Sequence, residues 1–294
     1  MKYLKAIWKA LRPFSFTIAF ISCLLGIVLA WREGYADFHK AFLIILSGIL
    51  LQSGVNLVND FFEFKQGKLE NKIACFHIFG REREWTEICI FIAGLLCFAC
   101  TVPIGLYLVY RSGMQLFYLG VIGFVGGYFY TGEPFNYKRR GLAVVFVFFL
   151  MGVFMIYGSY YAMTAKFSME VLWISLPISL LVSLLLLSNE LRDYERDKER
   201  DIRTLTVRIG YQKGKMLYVV FVIAAAVFTI IFVYCSILPK MCLFVLLSLS
   251  VAKRAYSYID QKPKLRMPLT PLTAKFHFLF GLLLIVGLLV DHGA

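Results

Sequence analysis

From Pro13 to Val290 the chain is a succession of apolar runs, each of bilayer-crossing length and each parted from the next by a short polar stretch. They are Pro13–Trp31, Phe38–Val58, Ile88–Tyr110, Met114–Thr131, Leu142–Thr164, Met169–Leu187, Met216–Leu238, Met241–Tyr258 and Leu272–Val290. A helix needs about 20 apolar residues to cross the hydrocarbon, so the pattern predicts about nine transmembrane helices. A soluble domain of 294 residues cannot hide a composition that is 60% hydrophobic, and lipid must be the solvent for most of this surface. The expectation is an all-α polytopic membrane protein, one domain over residues 1–294.

Placing the N-terminus in the cytoplasm puts all but five of the 31 Lys and Arg on the inner side; the exceptions are Arg32, Lys40, Arg111, Lys166 and Lys240. That is the positive-inside pattern. The net charge of +13 is then mostly topology, and no basic soluble domain exists to bind nucleic acid. The N-terminal run is long and lacks a small-x-small site before Trp31, so it reads as a retained first helix. The seven Cys show no metal-ligand spacing.

Chemistry concentrates in SNELRDYERDKERDIRTLTVRIG, Ser188 to Gly210. Asn189, Asp193, Asp197 and Asp201 fall at steps of four, which stacks an amide and three carboxylates on one helical face. Two sources of compensating charge are open. Arg196 and Arg200, each three residues after an Asp, would neutralise a solvated face. Alternatively the oxygens hold Mg²⁺ carrying a polyphosphate, a hard cation that uses one or two carboxylates plus substrate phosphates.

The second run ends in QSGVNLVNDFFEFKQGKLENK. Asn56, Asn59, Asp60 and Glu63 share one broad face at its inner end, where amides and acids are expensive and usually functional. Two acid clusters facing each other across a bundle suit Mg²⁺ ions that clamp a diphosphate. Between them GGYFYTGEPFNYKRRGL brings Tyr130, Tyr137, Lys138, Arg139 and Arg140, which are phosphate-oxygen donors or plain positive-inside bias. Arg203, Thr204 and Arg208 continue the donor theme. Arg12, beside Pro13 at a helix start, is a snorkelling anchor. Phe61, Phe62, Tyr130 and Tyr160 are either aromatic walls for a cation or ordinary packing. The loop Ile259 to Pro271 reads as a solvated connection.

These segments resemble the UbiA superfamily of intramembrane aromatic prenyltransferases, and within it the 1,4-dihydroxy-2-naphthoate prenyltransferases of menaquinone synthesis. The matching pieces are LRP in the first helix, NLVNDFFEFKQG, YTGEPFNY, GSYYAMT, LRDYERD and RTLTVRIG. Its N-D-x-x-D and D-x-x-x-D patterns fall on Asn59, Asp60, Glu63 and on Asp193, Asp197, with Glu63 in place of an Asp, Asp201-Ile202 in place of a Gly-Lys pair, and a loose GREREW in place of a Gly-Pro-x-Arg segment. The resemblance implies nine helices around a central cavity open to the cytoplasm and to lipid, in a bacterial or archaeal cytoplasmic membrane. It also implies Mg²⁺-dependent transfer of a polyprenyl group from an allylic diphosphate to a small aromatic acceptor. Asp60, Asp193 and Asp197 would be catalytic, Asn59, Glu63 and Asn189 would complete the metal ligands, Tyr130, Lys138, Arg139 and Arg203 would bind diphosphate, and Arg12, Asn56 and Tyr137 would contact the acceptor or prenyl group. Dihydroxynaphthoate is the expected acceptor; hydroxybenzoate, homogentisate, haem or chlorophyll precursors remain open. A cation-binding transporter would need inverted repeats and midplane polar residues, and neither is seen.

Overall fold

The structure, a computed structural model, describes residues 2–63, 76–78, 81–132 and 134–290. Helix α1 (Lys2–Leu11) ends where Pro13 forbids continuation: Arg12 takes a left-handed backbone, φ 49°, and Pro13–Ser15 form a 3-10 turn leading into α2 (Phe16–Arg32). Then follow α3 (Phe38–Glu63), a short antiparallel pair β1 (Phe76–Ile78) and β2 (Arg81–Arg83), α4 (Trp85–Ser112) and α5 (Met114–Tyr128). The next span is α6 (Ala143–Val147), a π-helical turn at Phe148–Val153, and α7 (Phe154–Thr164). Helix α8 (Met169–Arg192) is followed by the short α9 (Tyr194–Glu199) and α10 (Leu205–Ile209), then α11 (Tyr211–Tyr234). A 3-10 segment, Lys240–Ser248, leads into α12 (Leu249–Tyr256), and α13 (Leu269–Val290) closes the bundle.

The all-helical membrane architecture is as the sequence indicates, while the count of nine spans is not confirmed. Among the described residues seven helices are long and apolar enough to cross a membrane. The fourth apolar run yields only the 15 residues of α5, a reach of about 22 Å against a hydrocarbon core of about 30 Å. The eighth run is divided between the 3-10 segment and α12. Its narrower winding lets backbone pack on backbone: a Cβ on Gly287 of α13 would stand 2.7 Å from the Cys242 nitrogen.

In lipid there is little hydrophobic drive between helices, so close approach and internal hydrogen bonding must hold the bundle. Gly94 of α4 seats Leu57 and Val58 of α3, both 3.1 Å from where its Cβ would be, and Gly26 of α2 lies against Ser159 and Tyr160 of α7 at 2.7 and 2.9 Å. The π-turn breaks the regular carbonyl ladder, and hydroxyls from neighbouring helices bond around it. Ser22 of α2 donates to the Met151 carbonyl at 2.8 Å, and Ser183 of α8 donates to the Val144 carbonyl at 2.9 Å. Helix α8 is the axis of this packing, with Ile178, Leu181, Val182 and Leu184 fully buried.

Gly26→Ala is expected to destabilise the bundle by about 1–3 kcal/mol, the usual cost of overpacking, read as a lower apparent Tm in detergent. Gly158→Ala on the facing helix, where a Cβ meets open space, is expected to leave Tm unchanged.

Candidate active site

Helices α3 and α8 both end at the same face of the bundle, and their last turns carry the predicted motifs. A cavity of about 100 Å³ lies between them, and Arg12, Asn56, Asn59, Tyr130, Tyr137 and Asn189 all line it. The two motifs, far apart in the chain, thus meet over one pocket through Asn59 and Asn189. Asp60, Lys138, Asp193 and Asp197 are not among the residues lining it, though the first two contact residues that are. Asp60 pairs with Arg12 at 3.7 Å, and Lys138 lies 5.6 Å over the Tyr130 ring.

Asn56 has its polar atoms committed. Its amide donates to the Leu11 carbonyl and to Ser15 Oγ, each at 2.7 Å, and accepts from Gln52 at 3.2 Å. The residue that sequence reasoning offered as a substrate contact therefore also pins the Arg12 turn against α3. Tyr137 donates its hydroxyl to the Gly126 carbonyl at 2.7 Å and stacks on Phe146 at 4.8 Å. Burial pushes its phenol up, with the nearby Tyr130 adding to the effect.

Past Arg192 the helix breaks briefly, yet Asp193 N–H bonds the Asn189 carbonyl at 3.0 Å and Asp197 N–H bonds the Asp193 carbonyl at 2.9 Å. Asn189, Asp193 and Asp197 therefore stay stacked. Asp201 does not: its φ is 51°, and it turns outward to pair with Arg203 at 3.1 Å. The stripe of four is a stripe of three, because the left-handed residue ends the helical register. Arg203 goes with Asp201 and is 63% exposed. Arg139 is likewise exposed, and its carbonyl accepts from Arg208 at 3.4 Å.

Of the two sources of positive charge weighed from the sequence, the arginines are present on this stripe, supplied by Arg192 and Arg196 rather than Arg200. Arg192 grips Asp193 with two bonds, 3.1 and 2.7 Å, while Arg196 reaches Asp193 at 2.6 Å and Asp197 at 3.3 Å. Burial disfavours the Asp193 charge, but the hydrogen bonds and charge of the two arginines outweigh it and hold the carboxyl below the usual range. For Asp197 the balance goes the other way: burial pushes its carboxyl up despite Arg196 and Lys138.

Mg²⁺ fits this donor set. The oxygens of Asn59, Asp60, Asn189, Asp193 and Asp197 are all hard ligands, and Arg196 already places one positive charge between Asp193 and Asp197. Among the described residues no group of three or more His, Cys, Asp or Glu is drawn together as a metal cage. Glu63 is the last residue of α3; its side chain lies outside the described residues, as do Gly67 and Gly80, the latter the first residue of GREREW.

Sequence reasoning missed two residues here. Glu190 is 2% exposed and accepts the Thr206 N–H at 3.0 Å, tying the segment before α11 back to α8. An acid beside Asn189 at the end of an apolar run was its signal. Arg266 belongs to the loop read as a solvated connection, yet it is 7% exposed, bonds Glu195 at 2.8 Å and lies 4.6 Å over the Tyr211 ring. Of the proposed aromatic walls, only Tyr130 lines the cavity. Phe61 stacks on Phe91 in a separate apolar cluster that also holds Phe62, and Tyr160 donates to Glu33 at the far end of α2.

A second, apolar cavity of about 340 Å³ runs among α2, α3, α4, α5, the π-turn and α7. It shares Leu51, Gly123 and Leu150 with the polar pocket.

This arrangement has counterparts among known proteins. Residues 19–279 match the UbiA prenyltransferase family. The chain is 27% identical to a 1,4-dihydroxy-2-naphthoate octaprenyltransferase of Bacillus subtilis (strain 168), over 97% of this chain and 93% of that one. It is 28% identical to the UbiA prenyltransferase domain-containing protein 1 of Mus musculus, over 96% and 83%. A digeranylgeranylglyceryl phosphate synthase structure superposes with TM-score 0.64 at 15% identity, covering 99% of this chain and 100% of that one. A UbiA homolog from Archaeoglobus fulgidus bound to GPP and Mg²⁺ superposes with TM-score 0.59 at 14% identity, covering 97% and 100%. With its motif-bearing helix ends meeting over one pocket and nearly its whole length matched, the chain belongs to the UbiA prenyltransferase family.

Proposed function

We propose that the protein transfers a polyprenyl group from an allylic polyprenyl diphosphate to dihydroxynaphthoate, in menaquinone biosynthesis. The observation that carries the reading is the single cavity lined by Asn59 of α3 and Asn189 of α8; the similarity to the naphthoate octaprenyltransferases supports the acceptor. The positive-inside bias supports a site facing the cytoplasm, with the N-terminus on the same side.

Asn59, Asp60, Asn189, Asp193 and Asp197, with Glu63 beyond them, would hold Mg²⁺, which when bound supplies positive charge to the departing diphosphate. Lys138, which lies over the Tyr130 ring, would donate to diphosphate oxygens. Arg139 and Arg203, exposed on the same side as Lys138, add steering charge for an anionic donor. Carbon–oxygen cleavage leaves an allylic cation. Tyr130 and Tyr137 in the pocket lining stabilise it and exclude water until the electron-rich ring attacks, and the attacked ring carbon then loses its proton or carboxyl group to restore aromaticity. Asn56 keeps the Arg12 turn in place, and Arg12 in turn sets the direction of Asp60.

Asp60→Asn and Asp193→Asn are each expected to lower turnover by roughly 100-fold or more while the protein still elutes as a folded species; near-normal turnover by both would sink the reading. The two carboxylates of the second motif also differ in sign. Asp193, with its depressed pKa, contributes stability above its unfolded value that is lost as pH falls through the folded one. Asp197, with its raised pKa, costs stability once it ionises. At neutral pH in chelator, Asp193→Asn should lower the apparent Tm and Asp197→Asn should raise it, and added Mg²⁺ should stabilise the wild type more than Asp197→Asn. Mass spectrometry of products from membranes offered dihydroxynaphthoate and hydroxybenzoate with one prenyl diphosphate is expected to show prenylation of the naphthoate; transfer to hydroxybenzoate alone would reassign the acceptor.

A further inference from the structure

The apolar cavity owes its volume to missing side chains. Gly105 of α4, Gly120 and Gly123 of α5 and Gly158 of α7 all line it, and a Cβ added at any of them meets nothing within 4 Å. Other glycines, of α3 and α5, are different, being filled by their neighbours. A Cβ on Gly54 would stand 2.9 Å from Phe98, one on Gly127 2.9 Å from Val55, and one on Gly126 2.6 Å from Leu150.

Those filled contacts define a common layer across α3, α4, α5 and the π-turn, beside the polar pocket. Gly105 is seven residues beyond Phe98, Gly120 seven before Gly127, and Gly158 eight after Leu150, each leading away from the polar end. At about 1.5 Å of rise per residue all three lie roughly 10–12 Å deeper than that layer. Three helices therefore place a side-chain-free position at one depth, while Gly123 sits at the mouth with Leu51 and Leu150.

Resting on the prenyl-transfer reading, we infer that Gly105, Gly120 and Gly158 form the length-determining ring for the isoprenoid chain of the donor. The diphosphate occupies the polar pocket, the first isoprene units pass Leu51, Gly123 and Leu150, and the distal units cross the glycine ring. The wall is apolar, as a hydrocarbon tail requires. Leu106, Phe117 and Val121 line the cavity beside these glycines and are exposed. None of the three glycines has a left-handed backbone, and side chains there enter space rather than backbone.

The test uses the full-length protein in lipid nanodiscs with Mg²⁺ and dihydroxynaphthoate. Dimethylallyl, geranyl, farnesyl and geranylgeranyl diphosphate are compared by kcat/KM in the wild type and in Gly105→Leu, Gly120→Leu and Gly158→Leu. The ratio of geranylgeranyl to geranyl kcat/KM is expected to fall by roughly tenfold in each variant, the discrimination a filled apolar pocket supports. Val220→Leu, on the lipid-facing side of α11, is expected to keep the wild-type ratio. A ratio unchanged in all three glycine variants, or an equal loss with every donor, overturns the length-determining ring. A wild type inactive with every donor overturns the prenyl-transfer reading instead. Should a leucine variant not fold, alanine at the same position adds one methyl group, and a smaller fall in the same ratio is expected.

Discussion

Carboxylates at the C-terminal ends of two helices stand where the helix dipoles already concentrate negative partial charge, so counter-charge is the constraint on which this end of the bundle depends. Arg192 and Arg196 meet it at Asp193, and Arg12 meets it at Asp60. Asp197 is less well served: it is buried, and its partners do not offset the cost of its charge. A site whose carboxylates repel one another and are only partly neutralised by protein is poised to take up further positive charge. That is the electrostatic condition the proposed function requires, a divalent cation with its diphosphate and stabilised charge on a leaving group.

Shape and charge are set by the same packing devices. The Asn56 amide fixes the Arg12 turn on α3, so the cation that faces Asp60 hangs from a backbone corner created by Pro13. The π-turn carries Leu150 and Met151 into the polar pocket, and Leu150 into the apolar one as well. Serine hydroxyls from α2 and α8 meet carbonyls at and before that turn, which lets an irregular winding persist inside a membrane-sized bundle. The junction between a polar head pocket and an apolar cavity is thus built from a helix irregularity that its neighbours satisfy.

The membrane class and the location of the acidic motifs were legible in the chain because both follow from local pattern: spans from run length, motif faces from steps of three and four. What failed to read locally failed for a physical reason. The fourth and eighth runs are apolar enough, but span length depends on where a helix ends and how tightly it winds, and Gly287 packing against Cys242 is a tertiary event. Asp201 fits the four-residue step and leaves the stripe because its backbone turns left-handed. Arg266 looked like one more loop cation, and only the fold brings Glu195 and the Tyr211 ring to it. Tyr160, Phe61 and Phe62 illustrate how little an aromatic residue says of its place in a chain where aromatics are 17% of all residues.

By itself the sequence determined that this chain lives in lipid, that it is helical, and that its acids gather at one end of the second and sixth apolar runs. Residue type and spacing along one strand of covalent structure suffice for that. Tertiary structure alone decided that Asn59 and Asn189 share a pocket, that Asn56 holds Arg12, and that some glycines are packed while others stand over open space. Each of those facts is a relation between helices distant in the chain, and no periodicity encodes which faces of two helices will meet.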